Sequence, residues 1–364
     1  MDIVILGLSI TSSWGNGHAT TYRGLVRELS GRGHRIHFLE RNLPWYAQNR
    51  DSEDLPYCRV SVYEDLQGLK EGFEQEIRDA DLVLLGSFVP DGADIGEWMA
   101  GAAKGVKAFY DIDTPVTLEK LNRGDCAYLR PDLIPKFDLY LSFTGGPVLE
   151  HLERVYGAKS ALPLYCSVDP ALYYPEQKEF SYDLGYLGTY SNDRQDSLNI
   201  LLLSPARRWS EGRFVVAGPQ YPPEISWPSN VRRIDHIAPP DHRSFYNSLR
   251  FTLNVTRSSM VRTGYSPSVR IFEAAACGTP IITDPWDGLD LFLVPGEEIL
   301  PVRSADEVLN ILKTMPRERI TEISDRAREK VLSAHTARHR ALELEQYVTS
   351  FMDAEYRELE AVHR

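Results

Sequence analysis

Short apolar runs alternate with amphipathic ones along this chain, break off once, and then begin again, and few architectures can absorb that pattern. In the first half, residues 3–8, 35–39, 59–62, 82–85, 108–110 and 139–142 read as buried strands, and residues 18–29, 66–78, 95–103 and 147–155 carry helical spacing. Strand, crossover helix and strand repeated in this way build a parallel sheet covered by helices on both faces. The period fails around residues 168–180, where Pro170 and Pro175 fall, and this predicts a linker. Strands then resume at 184–187, 214–217, 231–234, 251–255 and 281–283, with helices near 195–203, 242–248, 269–277, 306–313 and 320–333. The reading is an α/β chain with a first domain over 1–168, a linker over 169–181, a second domain over 182–334 and a charged helical tail over 335–364.

A chain of 364 residues suits two such cores. Forty Lys and Arg stand against 52 Asp and Glu, a net charge of −12, and no block is strongly basic, which argues against a nucleic-acid groove. Cys58, Cys126, Cys166 and Cys277 are scattered, without the spacing of a zinc site, and read as reduced packed thiols. The apolar start lacks the basic region of a signal peptide and no apolar run reaches 18 residues. A cytoplasmic protein without an integral membrane span is expected, with peripheral lipid contact left open.

The segment from Ser266 to Asp284 is the densest in signals. Ser266, Pro267 and Ser268 start a short helix, Gly278 suits its C-terminal cap, and Pro280 to Thr283 reads as the next strand. Glu273 on that helix is expected to point toward the crevice at the strand ends, where its two acceptor oxygens suit both hydroxyls of a ribose.

The wording Glu273-Ala-Ala-Ala-Cys-Gly-Thr-Pro-Ile-Ile-Thr283 resembles the sugar-nucleotide motif of GT-B glycosyltransferases. Together with Phe109 to Thr117 and Leu164 to Pro175, the stretch from Arg257 to Asp284 is most similar to the CgeB-like (spore-maturation-protein-like) members. The resemblance implies two Rossmann-like domains facing across a cleft, an acceptor-side domain first and a nucleotide-sugar donor domain second, with Glu273 holding the donor ribose. It also implies that the tail returns to the first domain. Many retaining members carry a second glutamate eight residues earlier, where this chain has Tyr265.

After the first strand, Gly15-Asn16-Gly17-His18 opens a helix, with glycines that allow close backbone approach and free N–H groups at the helix start. The loop does not match the G-x-G-x-x-G fingerprint, which disfavours a nicotinamide site. It resembles the glycine-rich loop of MurG-like enzymes, with Gly15, Gly17 and His18 matching. An imidazole there can accept a proton from an attacking hydroxyl. In inverting plant-type GT-B enzymes such a histidine is the base, oriented by an aspartate from a later strand end, and Asp111 and Asp113 stand at such an end. Asp111-Ile-Asp113 is equally a D-x-D triplet of the kind that binds a metal, or a helix-capping turn. The second nucleotide-binding domain argues for chemistry without metal or cofactor.

Without metal, a departing diphosphate needs arginines and helix starts. Arg194, which follows the strand and the Gly188 turn, is the first candidate, and Arg270 and Arg257 are the next. Gly218 and Ile237, at two further strand exits, are expected around the base, and Tyr265 and residues 284–288 around the sugar or phosphates. The resulting expectation is a metal-independent transferase moving a sugar from a nucleoside-diphosphate donor, UDP-sugar first among them, to an unknown hydroxyl-bearing acceptor with inversion. Retention, a non-enzymatic sugar-nucleotide or glycan-binding protein, and a sugar-nucleotide epimerase are the alternatives.

Overall fold

The computed structural model describes residues 1–362 apart from Asn16 and Glu53. It divides into two compact units, the first comprising 1–166 together with 337–364, the second comprising 167–336.

Among the described residues the first unit holds a seven-stranded sheet: β1 (Asp2–Gly7), β2 (Arg35–Arg41), β3 (Arg59–Tyr63), β4 (Leu82–Gly86), β5 (Val106–Asp111), β6 (Leu139–Ser142) and β7 (Ala161–Pro163). The order is β3-β2-β1-β4-β5-β6-β7 and the pairings are parallel. The chain therefore reverses its direction of travel across the sheet between β1 and β4, the switch point where such sheets open a crevice at their C-terminal strand ends. The helix Gly17–Gly31 covers one face and buries Tyr22, Leu25, Val26 and Leu29. The tail forms the helix Ala337–Val362, which packs on it. A Cβ at Gly24 would lie 3.1 Å from that of Ala337, so the two helices approach closely. Arg32 and His34 pair with Glu345, and the Tyr347 hydroxyl donates to the Pro163 carbonyl at 3.0 Å.

The second unit repeats the plan with β8 (Leu184–Leu187), β9 (Phe214–Ala217), β10 (Val231–Ile234), β11 (Thr252–Asn254), β12 (Ile281–Thr283) and β13 (Leu300–Pro301). Its order is β10-β9-β8-β11-β12-β13, again parallel, with the switch point between β8 and β11. Leu184, Tyr186, Phe214, Val216, Leu253 and Ile282 form the middle of its core. The helical stretch predicted near 195–203 spans 192–208, with a wide π turn at Asn199–Leu203 just before Pro205. Proline has no N–H to offer the preceding turn, and the wider turn accommodates its ring. The edge strands β7 and β13, of three and two residues, are too short to leave a readable pattern in the sequence.

Candidate active site

The second unit assembles most of the residues expected around a donor. Ser268 caps the helix Val269–Ala276, and the first turn of that helix presents Arg270, which is almost fully buried. The Arg270 guanidinium spans two strand exits: Nε donates to the Leu187 carbonyl at 2.6 Å and Nη1 to Asn254 Oδ1 at 2.6 Å, with the Tyr186 ring centred 5.1 Å away. A side chain at Gly188 would meet the Tyr186 hydroxyl at 2.7 Å and Arg270 Nη2 at 3.1 Å. Gly218 has a φ of +140°, and a Cβ there would fall 2.0 Å from the Gly188 carbonyl oxygen. These two glycines let the exits of β8 and β9 close on each other.

Arg194 joins this group. It donates through Nη2 to the Thr189 carbonyl at 2.6 Å, while its Nε is buried without a hydrogen-bond partner among the described residues. Burial lowers its pKa, and the positive charges of Arg270 and Arg257 lower it further. The three arginines named from sequence thus stand close enough to repel one another. Arg194 and Arg257 are half-buried, and against the effect of burial their charges lower the pKa of the neighbouring Asp193.

Asp284, expected against the donor, does something else. Both of its oxygens accept from the Thr256 N–H at 3.1 Å, and Oδ1 also accepts from the Thr256 hydroxyl at 2.9 Å. Burial raises its pKa, against the lowering effect of Thr256. Asp284 therefore fixes the turn after β11 that carries Arg257. Tyr265 has a φ of +51° and donates its N–H to the Asp287 carbonyl at 2.6 Å, which places it on the 284–288 loop.

Glu273 lies one turn beyond Arg270 and is buried. Its Oε2 accepts from the Tyr246 hydroxyl at 3.0 Å, and the Tyr173 ring is centred 6.5 Å from that of Tyr246. Ile237 is half-buried, and its carbonyl accepts from His242 Nε2 at 3.2 Å. Tyr186, Asn254, Tyr246 and Tyr173 were not singled out from the sequence. Asn254 could have been, as a polar residue ending an apolar strand.

In the first unit, the loop after β1 is held by Glu40 at the end of β2. Its carboxylate accepts from the Ser9 hydroxyl, the Ile10 N–H at 2.7 Å, the Thr11 N–H and the Thr11 hydroxyl. Asp51 ties Ser13 and Arg23 together just beyond, and Gly15 takes a φ of +61°. Asn16, expected in this loop, lies outside the described residues. Gly17 begins the helix, and His18 follows with its ring packed edge-on against Phe88 at 5.5 Å. Burial drives the His18 pKa down to about 4. Phe88, itself at a φ of +63°, stacks on its other side against Tyr128 at 4.6 Å.

Asp111 does not serve His18 in this structure. It is fully buried at the end of β5, with Oδ2 accepting from the Tyr140 hydroxyl at 2.6 Å and Oδ1 from the Thr117 hydroxyl at 2.7 Å and the Asp113 N–H at 3.3 Å. Burial raises its pKa to about 6 against these hydrogen bonds. The carboxylate organises the turn into the helix Thr114–Arg123, whose N-cap position is Asp113. Asp111 thus takes a turn-forming role, while Asp113 holds the N-cap position without a side-chain cap hydrogen bond.

Two doubly wound parallel units in this strand order constitute the GT-B fold, and the family match agrees. Residues 194–346 match the family model described as glycosyl transferase-like. Sucrose-phosphate synthase from Thermosynechococcus elongatus superposes with a TM-score of 0.70 at 15% identity, over 97% of this chain and 100% of that one. HepE of Anabaena in complex with UDP-glucose does so with a TM-score of 0.71 at 13% identity, over 96% and 100%. An alpha-glucosyltransferase in complex with UDP-glucose and DNA containing an abasic site gives 0.71 at 11% identity, over 96% and 99%. No curated protein sequence matches the chain. The fold is therefore that of the GT-B structures, and residues 194–346 of the second unit and tail resemble the glycosyl transferase-like family. Among the described residues, no helix is long and apolar enough to cross a membrane.

Proposed function

We propose that this protein transfers a sugar from a nucleoside-diphosphate donor, a UDP-sugar in the first instance, to a hydroxyl group of an acceptor, without a metal ion. The observation that carries the reading is the arginine cluster at the exits of β8 and β11. As the bond between the anomeric carbon and the phosphate oxygen breaks, the electron pair stays on the diphosphate, and Arg194, Arg257 and Arg270 are the groups that neutralise it. Preorganised cations are worth most where the surroundings are desolvated, and the lowered Arg194 pKa reports that condition. Glu273 takes the ribose hydroxyls, and the backbone around Gly218 and Ile237 takes the base. HepE and the alpha-glucosyltransferase were both captured with UDP-glucose, which supports this donor class.

For the stereochemical course, the Gly-His loop points to inversion with His18 as base, and the His18 environment favours retention instead. A general base works best when its pKa lies near the operating pH, and burial holds His18 near 4. Asp111, one of the two expected orienters, has both oxygens engaged by Tyr140, Thr117 and Asp113. A neutral His18 is suited to hydrogen-bond a sugar hydroxyl while the acceptor proton passes to the departing phosphate oxygen on the same face. The anomeric configuration of the product, read by NMR, separates the two courses: a retained configuration is expected, and an inverted one returns His18 to the role of base. Activity is expected to persist in excess chelator, and its loss with recovery on adding manganese would overturn the metal-independent mechanism.

A further inference from the structure

Glu273 is a buried carboxylate held by one tyrosine, with a second from a distant segment beside it. Tyr246 ends the helix Pro239–Asn247, is fully buried, and donates to Oε2 at 3.0 Å. Tyr173 comes from the segment that follows β7, where the sequence predicts only a linker, and its buried hydroxyl lies close enough to feel the Glu273 charge. It also lies 3.4 Å from His242 Nδ1, while His242 Nε2 donates to the Ile237 carbonyl at 3.2 Å. Polar contacts therefore run from the Ile237 carbonyl through His242 to Tyr173, which lies beside the Glu273–Tyr246 pair.

A buried carboxylate without donors is costly, and an ionised one can accept about four hydrogen bonds. Tyrosine hydroxyls in such surroundings stay protonated: burial, and then the Glu273 charge, raise both pKa values well above 10. Tyr246 is a permanent donor to Oε2 that fixes the rotation of the carboxylate, and Tyr173 stays protonated beside it. From this geometry we infer that Tyr246 and Tyr173 are positioning residues that hold Glu273 so that Oε1 faces the two hydroxyls of the donor ribose. The inference rests on the reading of Glu273 as the ribose ligand.

The test is the preference for ribose over 2′-deoxyribose, which a purely structural tyrosine does not control. UDP, TDP, GDP and ADP are screened by thermal shift on the full chain. The tightest binder and its counterpart differing only at the 2′ position are then titrated by calorimetry. The wild type is expected to prefer the ribonucleotide by about tenfold or more, the worth of one hydrogen bond to a charged group. Glu273→Gln should bring that ratio close to one, and Tyr246→Phe should lower it severalfold while the variant keeps a cooperative melt. Tyr173→Phe should lower it less, and it carries the test if Tyr246→Phe does not fold. A ratio that collapses in Glu273→Gln yet is unchanged in both tyrosine variants overturns the positioning role and leaves the ribose reading standing. A ratio unchanged in Glu273→Gln, or no nucleotide binding at all, overturns both.

Discussion

Replacing Arg194 by Gln separates the cost of holding the arginine cluster from its use. In the folded chain Arg194 is desolvated and repelled by Arg270 and Arg257, with a hydrogen bond to the Thr189 carbonyl and the charge of Asp193 in compensation. Losing a hydrogen bond from a charged donor costs about 1.5–3 kcal/mol. Removing a buried cation from beside two others returns energy of the same order, because desolvation and repulsion both disappear. The unliganded protein should therefore melt within roughly 4 °C of wild type, since about 1 kcal/mol moves the melting temperature of a domain this size by about 2–4 °C. Nucleotide binding should behave differently. The lost charge-assisted contact to the diphosphate predicts a Kd raised about tenfold to a hundredfold and a correspondingly smaller thermal shift on adding UDP. Differential scanning fluorimetry with and without UDP, together with calorimetry, gives both quantities. A variant several degrees less stable that binds UDP as tightly as wild type would refute the argument and make Arg194 a structural residue.

Two further outcomes follow from other buried groups. Asp284→Asn keeps an acceptor for Thr256 but loses charge and one of the two backbone contacts, so a stability loss of about 1–2 kcal/mol is expected, with a lower kcat as the turn carrying Arg257 loosens; an unchanged urea midpoint and kcat would contradict it. His18 and Asp111 should tilt the acid limb of stability in opposite senses. The folded state resists protonating His18 until about pH 4, whereas the unfolded chain takes that proton near 6.5, so this group's contribution is lost as pH falls from 6.5 to 4. Asp111 binds its proton near 6 when folded and near 3.8 when unfolded, so its contribution grows as pH falls across that interval. His18→Asn should flatten the acid loss of stability and Asp111→Asn should steepen it, and urea titrations at pH 7 and 4.5 giving parallel changes for both variants would contradict the assignment.

Gly188, Arg194, Gly218 and Arg257 could be named from the sequence because each follows an apolar run, and in a parallel sheet strand exits converge whatever the loops between them do. Arg270 and Glu273 were named instead from the start signals and the wording of the helix Val269–Ala276. Neither signal could foresee that Asp111 and Asp284, which also follow strands, spend their oxygens on Tyr140, Thr117 and Thr256. A carboxylate at a strand exit has two competing uses, an incoming ligand or the N–H groups of the next turn. The choice depends on whether a neighbouring hydroxyl happens to reach it. Thr117 lies six residues after Asp111 and Tyr140 twenty-nine, and neither separation corresponds to a helical or strand repeat. Tyr246, 27 residues before Glu273, and Tyr173, in a stretch that reads as linker, were hidden for the same reason. Their hydroxyls act through tertiary packing, and the sequence around them records only that their rings are apolar enough to be buried. Residues whose role derives from the direction of the backbone can be placed by pattern, whereas those whose role derives from a side-chain partner on another element need the packed core to reveal them.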